Sequence, residues 1–374
     1  MRFIIVLAAG LPAWSQILID PARVADVEKR LKNGELSKLS CEVTPFKPRI
    51  DFGFRFQTGY TIRVPMQQYE GEGHGWIVYT RVTPEGGKPS YLLSVQRLPK
   101  IPKTKAELET GGSFVLGEGK YHVELMLYDD SGRACTKKWR VDAKRTSAEQ
   151  KMTMRIDPGS VRSLSSRRRG QSESSLARPY RLTILMHAAP MFPRSTRLRA
   201  YDQELLLGSL APLIEQLPVQ SVRLVVFNLD QQKTLIEKDQ FHQRDLNEIA
   251  QSMSNLQLAT VEYQVLKNRT GHMRLLAELI NKEVTAEQPS DAVILFGPMS
   301  RFYEKFTAPA VEERSVGGPK FFSVQFRPFN TRGDEYTDLL EHAVKALKGK
   351  SFVVHTPGEF SKAIQEIESR LPRS

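Results

Sequence analysis

The chain has very few cysteines: Cys41 and Cys135 are the only two among its 374 residues. No Cys-x-x-Cys motif occurs, so the sequence offers neither a thiol redox centre nor a cysteine zinc cage. Two cysteines can form one disulfide if the chain enters an oxidising compartment. A pair of buried, unpaired thiols is the alternative.

Long apolar runs are also missing. Beyond residue 15, no segment approaches the roughly 18 uninterrupted apolar residues of a membrane-spanning helix. In residues 1–15 a single Arg precedes a short apolar segment, a proline and small residues, which is the order of a secretory signal peptide. We therefore expect an exported protein, periplasmic or extracellular, whose mature chain begins near Gln16. A buried first strand of a cytoplasmic protein is the alternative.

The motifs of the common enzyme classes are absent. The sequence contains no Gly-x-Ser-x-Gly, no P-loop, no Gly-x-Gly-x-x-Gly after a strand pattern and no His-Glu-x-x-His. It therefore predicts no bound cofactor, no metal ion and no enzymatic activity.

Acidic residues are fewer than basic ones. The chain carries 54 Lys and Arg against 42 Asp and Glu, a formal net charge of +12. Such a balance favours anionic surfaces such as lipid headgroups, acidic polysaccharide or nucleic acid. Cations that only solvate the surface are the alternative, and the signal peptide argues against nucleic acid.

The first half of the chain predicts mainly strands. Residues 16–35 predict a short helix, with Asp20 as N-cap, Pro21 in the first turn and Gly34 at the end. Across 36–143, apolar and polar residues alternate with period two, and Gly-rich and Asp-rich turns separate the segments. This pattern predicts an antiparallel β-sandwich whose architecture resembles that of immunoglobulin-like domains.

Residues 144–178 show no periodicity and are rich in Ser, Arg, Gln and Gly. We predict a basic, flexible linker here. Its charge is consistent with a tether to an acidic partner, and equally with a plain soluble spacer.

Residues 179–374 alternate apolar strand patterns with amphipathic helix patterns, as expected of a doubly wound, Rossmann-like α/β sheet. The chain as a whole is therefore predicted to be multidomain. Ligands of such sheets bind at the carboxyl ends of the strands. The predicted first strand, 182–186, ends at His187, so this residue is expected near a binding site.

Two local segments carry a family resemblance. Residues 271–277 open a helix with glycine, and residues 293–298 form a buried strand that ends in Gly-Pro. With the initial strand and helix and the strand hairpin that follows, they are similar to von Willebrand factor type A domains. The resemblance implies a domain that mediates protein contacts.

The resemblance also implies where a metal site would lie. The family binds Mg²⁺ through carboxylate and hydroxyl oxygens, which a hard cation requires. The matching positions here carry neither group: His187, Ala189, Met191, His272 and Gly297. We therefore expect a binding crevice with a vestigial metal site. Two histidines alone are too few ligands for a softer metal.

The resulting hypothesis is an exported, non-catalytic, adhesion-type protein that binds a protein partner at this crevice. Four arginines are expected to form a basic rim that attracts an acidic surface: Arg194, Arg197, Arg199 and Arg301. One alternative is a hydrolase with His187 or His272 as general base. The nearby carboxylates for it are Asp202, Asp230 and Asp291. Another alternative is a structural component of an envelope assembly.

Metal ions added to the chelator-treated protein should leave its melting temperature unchanged, because only a ligand that binds the folded state raises it. Thermal unfolding with Mg²⁺, Mn²⁺, Zn²⁺ and Ni²⁺ measures this. A rise with Mg²⁺ or Mn²⁺ would reveal an intact oxygen site. A rise with Zn²⁺ or Ni²⁺ that His187→Ala removes would instead support the hydrolase.

Overall fold

A computed structural model describes residues 16–20, 24, 29, 36–164, 180–192, 195–259, 263–306, 318–329 and 337–371. The chain divides into two compact units, Met1–Ser172 and Glu173–Ser374. The structure confirms a multidomain, β-rich chain with several sheets and some helices. Within the described ranges, no helix is long and apolar enough to cross a membrane. The predicted signal peptide, 1–15, lies outside them.

The first unit is built from strands in two sheets. In chain order the strands are β1 (Ile17–Ile19), β2 (Ser37–Lys38), β3 (Glu42–Pro45), β4 (Arg49–Ile50), β5 (Phe56–Pro65), β6 (Gly75–Pro84), β7 (Ser90–Arg97), β8 (Glu107–Leu116), β9 (Gly119–Asp129), β10 (Arg133–Ala143) and β11 (Val161–Ser163). One sheet has the order β1-β7-β6-β9-β10-β2. The other has the order β11-β8-β5-β3, and β4 pairs with β5.

Alternate residues of the long strands enter one apolar core, as the period-two pattern predicts. On β6, Trp76, Val78 and Val82 are buried, and on β5 Tyr60 and Ile62 join the same cluster. Because the other set of residues on each strand faces outward, the six-stranded sheet has a distinct outer face.

Residues Ile17–Ile19, which precede the predicted N-cap Asp20, form a strand that the sequence did not predict: β1 pairs antiparallel with β7. The side chain of Gln16 anchors this strand inside the unit. Its amide donates hydrogen bonds to Tyr60 Oη and, over 3.3 Å, to Thr80 Oγ1. Gly112 leaves the space, since a Cβ there would lie 2.6 Å from the Gln16 amide carbon.

Between 21 and 35, the structure describes only Val24 and Lys29. Lys29 is exposed and helical. Val24 is buried in a small apolar cluster with Tyr79, Tyr91 and Met126 on the outer face of the six-stranded sheet. The N-terminal segment therefore packs on the outer face through at least this residue.

The prediction of a linker over 144–178 is wrong for residues 144–164, which belong to the first unit. Val161–Ser163 forms β11 and pairs antiparallel with β8. Arg145 donates to the Met152 carbonyl oxygen over 3.0 Å and forms an ion pair of 2.9 Å with Glu118. These contacts do not require alternating apolar and polar residues, so the sequence pattern of this segment does not reveal them. The rest of the predicted linker, 165–178, lies outside the described residues.

Cys41 and Cys135 form a disulfide, with their Cα atoms 6.1 Å apart. Cys41 directly precedes β3 and Cys135 lies on β10, so the bond joins the two sheets. It spans 94 residues of sequence, and a cross-link over such a long loop strongly restricts the unfolded chain.

The second unit contains one six-stranded sheet and helices. Its elements are β12 (Tyr180–His187), α1 (Ala200–Gln216), β13 (Val219–Asn228), β14 (Lys233–Lys238), α2 (Leu246–Ser254), α3 (Tyr263–Lys267), α4 (Gly271–Val284), β15 (Ala292–Pro298), β16 (Lys320–Phe326), α5 (Leu339–Ala346), β17 (Lys350–Val354) and α6 (Pro357–Arg370). The sheet order is β14-β13-β12-β15-β16-β17. All neighbours are parallel except β14, which is antiparallel to β13.

The central strands are buried almost throughout, which explains their nearly continuous apolar sequences. One face packs against α4 and α5 through residues such as Leu276 and Leu340. On the other face, Phe360 of α6 contacts the rings of Phe296 and Phe326. With both faces covered, the ends of the strands are the exposed part of the sheet.

Replacing both Cys41 and Cys135 by Ser should lower the free energy of unfolding of the first unit by about 3 kcal/mol, because the unfolded chain regains its loop entropy. Trp76 and Trp139 both lie in this unit, so tryptophan fluorescence during urea unfolding reports on it. Reduced wild-type protein serves as the matched control and should unfold at the same urea concentration as the double variant. Equal stability of oxidised wild type and variant would contradict the disulfide.

Candidate functional site

Four parallel strands of the second unit, β12, β13, β15 and β16, end at one edge of the sheet. We call this the carboxyl edge. It comprises residues 187–192, 195–203, 228–232, 263–272, 297–306 and 326–329. The segment 263–272 belongs to it because Gln232 Nε2 donates to the Asn268 carbonyl oxygen over 2.9 Å.

His187 is the last residue of β12 and is only 1% exposed. Its ring lies 5.4 Å from that of Phe227. Burial lowers the pKa of His187 to about 4, against a smaller opposing effect of the Asp230 carboxylate. The Pro298 carbonyl raises this pKa slightly, but in the described part of the chain neither ring nitrogen has a partner with good hydrogen-bond geometry. The imidazole is therefore neutral at pH 7.

Gly297, at the end of β15, packs directly on His187. Its φ is +151°, in the range that L side chains rarely adopt. A Cβ here would lie 2.6 Å from the His187 carbonyl oxygen and 3.1 Å from the His187 Cβ. No carboxylate-bearing residue fits this position without moving β12 or β15.

Ala189 and Met191 follow His187 in a loop and are 3% and 6% exposed. The buried carboxylate of Asp202, in the first turn of α1, holds this loop. It accepts hydrogen bonds from the backbone N–H of Met191 over 2.9 Å and of Arg199 over 2.7 Å. Asp202 is therefore a structural carboxylate.

A second buried carboxylate, Asp338, holds the loop after β15. It accepts from the backbone N–H of Ser300 over 2.5 Å and of Glu341 over 3.0 Å. Burial raises the pKa of the Asp338 carboxyl, and the two N–H donors oppose that rise. Asp338 thus holds the backbone at Ser300, directly before the segment that carries Arg301 and Tyr303.

His272 lies at the start of α4 and is 4% exposed. Its ring stacks on Phe302 with 3.8 Å between centroids and 8° between planes. Glu304 Oε2 lies 3.7 Å from His272 Nε2. Burial lowers the pKa of His272, and the Glu304 charge opposes the shift.

The five predicted crevice positions therefore all lie at the carboxyl edge, but they are buried below its surface. All five residues are buried: His187, Ala189, Met191, His272 and Gly297. They support the surface and do not form it, which corrects the prediction that they line an open crevice. In the residues that the structure describes, no group of three or more His, Cys, Asp or Glu could hold a metal ion.

The three candidate carboxylates have different places. Asp230 comes two residues after β13, and its charge raises the pKa of both His187 and His272. Asp291 precedes β15 and accepts from the Arg181 backbone N–H over 2.7 Å, so it lies at the opposite end of the strands. Of the three, only Asp230 acts on the pKa of both imidazoles, whereas the sequence did not distinguish it from Asp202 and Asp291.

The predicted basic rim is present in part. Arg197 and Arg199 are exposed, and Arg199 lies over the ring of Phe192 at 5.8 Å. Arg301 is partly buried and donates to the Ser195 carbonyl oxygen over 2.6 Å. Arg194 lies outside the described residues. The rim therefore offers two exposed guanidinium groups and one that braces the loops.

Sequence patterns missed the exposed apolar residues of the carboxyl edge. Of the six large apolar side chains exposed in the described part of the second unit, five lie there: Phe192, Tyr201, Tyr263, Leu266 and Tyr303. Phe192 stacks on Phe329 at 4.2 Å, and Tyr201 lies 5.5 Å from the same ring. Four of the five follow strand ends or open helices, where a single apolar side chain has no periodic signal, and Leu266 lies within the short helix α3.

No family model matches the chain. No curated protein matches it either.

Several solved structures show weak likeness. Superoxide reductase (neelaredoxin) from Ignicoccus hospitalis covers 31% of this chain and 91% of its own, with 13% identity and a TM-score of 0.21. The same enzyme from Archaeoglobus fulgidus covers 30% and 94%, with 11% identity and a TM-score of 0.21. A glycosyl hydrolase family 2 member from Bacteroides cellulosilyticus covers 76% and 36%, with 10% identity and a TM-score of 0.21. Likenesses this weak assign neither a fold nor a function.

Acidification should destabilise the second unit between about pH 6.5 and pH 4. The unfolded state of His187 takes up a proton near 6.5, whereas burial holds its folded pKa at about 4. The contribution of His187 to the free energy of unfolding is therefore fully present above pH 6.5. It falls by about 3 kcal/mol as the pH approaches 4. His272 shifts in the same direction.

Calorimetry measures this loss of stability. The transition of the second unit is the one that tryptophan fluorescence does not report, because the tryptophans lie in the first unit. His187→Asn should flatten the pH dependence, while the exposed first-unit control His122→Gln should keep it. An unchanged slope in His187→Asn would show that this imidazole is not buried in its neutral form.

Proposed function

We propose that the protein is an exported, non-catalytic binding protein that holds a protein partner at the carboxyl edge without a metal ion. The observation that carries the proposal is the concentration of exposed apolar side chains there, five of six in the described part of the second unit. Exposed apolar residues gathered on one surface mark contact sites more often than scattered ones do.

The composition of this edge suits a protein interface. Aromatic residues and arginine are enriched in interface cores and dominate their binding energy. Here Phe192, Tyr201 and Tyr303 are 37–46% exposed, and Arg199 lies over the ring of Phe192. Rings stacked on one another lose little conformational freedom on binding, which favours affinity.

Charge supports an acidic partner. Arg197 and Arg199 form no ion pair with any described residue. An acidic group on the partner would meet these guanidinium groups without breaking an ion pair to any described residue. This electrostatic attraction would mainly raise the association rate, and the increase would be smaller at high salt concentration.

Burial of the imidazoles weighs against the hydrolase. A general base must come within hydrogen-bond reach of the proton that it removes. His187 and His272 are 1% and 4% exposed, so a substrate would meet other side chains first. Both residues are better explained as neutral polar groups that close the interior below the edge.

The fold is part of the proposal. We assign the first unit to an immunoglobulin-like β-sandwich and the second to a doubly wound domain similar to von Willebrand factor type A domains. Supporting the second assignment are five parallel strands with one antiparallel edge strand, β14, next to β13. Domains of both kinds commonly mediate protein contacts, which is an argument by analogy.

A photocrosslinking residue at Tyr303 should capture the partner, whereas the same residue at Glu287, at the opposite end of the strands, should not. The identified partner is then purified and its affinity measured by calorimetry. Combined replacement of Arg199, Tyr263 and Tyr303 by Ser should weaken binding at least about tenfold, because interface aromatic and arginine residues contribute most of the energy.

The matched control replaces the exposed residues Arg244 and Lys350 by Ser and should keep the affinity. The proposal is wrong if the triple variant binds as tightly as wild type. Chelator should change neither affinity, and a loss of binding with chelator would point to a metal-dependent contact instead.

A further inference from the structure

A groove of about 840 Å³ lies on the first unit, at the end of the six-stranded sheet where β6 begins. Its lining comes from the loop 72–74, the start of β6, the end of β7 with the residues that follow it, and the end of β9. The size of the groove is within the range of sites that bind small molecules. It belongs to the first unit alone and has no role in the carboxyl edge.

The floor of the groove is an apolar row on the outer face of the sheet. Ile77 of β6 is paired with Val95 of β7 on one side and with Tyr128 of β9 on the other. Because neighbouring strands lie about 4.8 Å apart, the row is about 10 Å wide, which is enough for one six-membered ring. Val95 is 68% exposed, so the row has an open apolar surface.

The next row along the same strands is covered. Tyr79 is paired with Leu93 on one side and with Met126 on the other. Val24 of the N-terminal segment packs with Tyr79 and Met126, and both of these side chains are buried. A ligand can therefore reach the row at Ile77, although the neighbouring row is closed.

The wall of the groove is held by backbone hydrogen bonds. Gly71 and Ile101 exchange two of them, over 3.1 and 2.8 Å, and the His74 carbonyl oxygen accepts from the Leu98 N–H over 2.9 Å. The His74 ring is held as well, because Nε2 lies 2.9 Å from the Glu70 carbonyl oxygen. Since these bonds are formed without a ligand, binding would have to order little additional chain.

Beside the floor, a glycine leaves room for a charged group. Arg97 of β7 lines the groove and is paired with Gly75 of β6, two residues from the Val95–Ile77 pair. Within 4 Å, a Cβ at Gly75 would approach only the Gln96 carbonyl oxygen among the described atoms, at 3.3 Å. The Arg97 side chain is therefore not crowded by a side chain at the paired position.

The acidic groups of the lining are already neutralised. Each of them has a basic partner within 3.1 Å: Glu72 with Lys100, Asp130 with His74, and Asp129 with Arg133. Arg97 is exposed and forms no ion pair with any residue that the structure describes. It is therefore the cation that remains for an anionic ligand.

We propose that this groove binds a compact organic carboxylate whose apolar ring lies on the row at Ile77 and whose carboxylate contacts Arg97. Val95 and Arg97 are two residues apart on β7, so their Cα atoms lie about 7 Å from each other. A carboxylate joined to the ring by one or two methylene groups spans most of this distance, and the flexible Arg97 side chain covers the rest.

A guanidinium group matches a carboxylate with two parallel hydrogen bonds, so the groove should prefer the acid to a neutral amide of the same shape. The site is separate from the carboxyl edge and does not depend on the function proposed for it.

Titration of the ¹⁵N-labelled full chain with 3-phenylpropionate tests the proposal. The amide resonances of residues 75–77 and 95–97 should shift and saturate with a dissociation constant of about 5 mM or lower, as a ligand of this size allows. The neutral 3-phenylpropionamide should bind up to about fivefold more weakly, the upper range for an exposed ion pair. Acetate, which has no ring, should not bind measurably at the same concentrations.

Two variants separate the two contacts. Arg97→Gln should remove the preference for the acid over the amide. Val95→Ser should weaken both ligands by about threefold, because the ring loses part of its apolar contact. The matched controls Arg140→Gln and Phe46→Ser change an exposed arginine and an exposed apolar residue elsewhere on the first unit, and they should leave both affinities unchanged.

The proposal is overturned if residues 75–77 and 95–97 show no saturable shifts up to about 20 mM 3-phenylpropionate. Equal affinity of wild type for the acid and the amide also overturns it. So does saturable binding that Arg97→Gln and Val95→Ser both leave unchanged.

Discussion

The close approach of β12 and β15 is the constraint on which the carboxyl edge depends. Gly297 lies so near the His187 backbone that a Cβ would meet its carbonyl oxygen at 2.6 Å. The backbone at Gly297 also has a positive φ of +151°. Space and conformation therefore both require glycine here, and the interior below the edge is completed by a neutral imidazole. A charged ligand set at this point would need a different backbone.

The surface of the carboxyl edge is formed by loops that lie on this buried interior. Two buried carboxylates, Asp202 and Asp338, accept backbone N–H groups and hold the loops on either side. The loops then carry aromatic residues and arginine outward. Buried carboxylates that accept several N–H bonds fix the backbone closely, because leaving those donors unpaired would cost stability. The exposed rings of Phe192 and Tyr303 therefore lie on loops that are held by buried hydrogen bonds.

Much of this organisation could be predicted from local patterns. Alternation predicts the long strands of the first unit, and buried apolar runs predict β12, β15 and β16. Where local patterns failed, long-range contacts were responsible. Ile17–Ile19 is a strand because Gln16 is held by Tyr60 and Thr80, far away in sequence. Residues 161–163 are a strand because β8 offers an edge. Phe54 fits the alternation but has a φ of 55° in a turn.

By itself, the sequence determined the long strands and most helices, the place of the strand ends, and the residue types at the ends of β12 and β15, because these depend on residue type and local spacing. Only the tertiary structure decided that His187 and His272 are buried, that Asp230 lies close to both, and that Phe192 and Phe329 stack. Burial and contact between loops distant in sequence depend on how β12, β13, β15 and β16 align in the sheet, which no local pattern records.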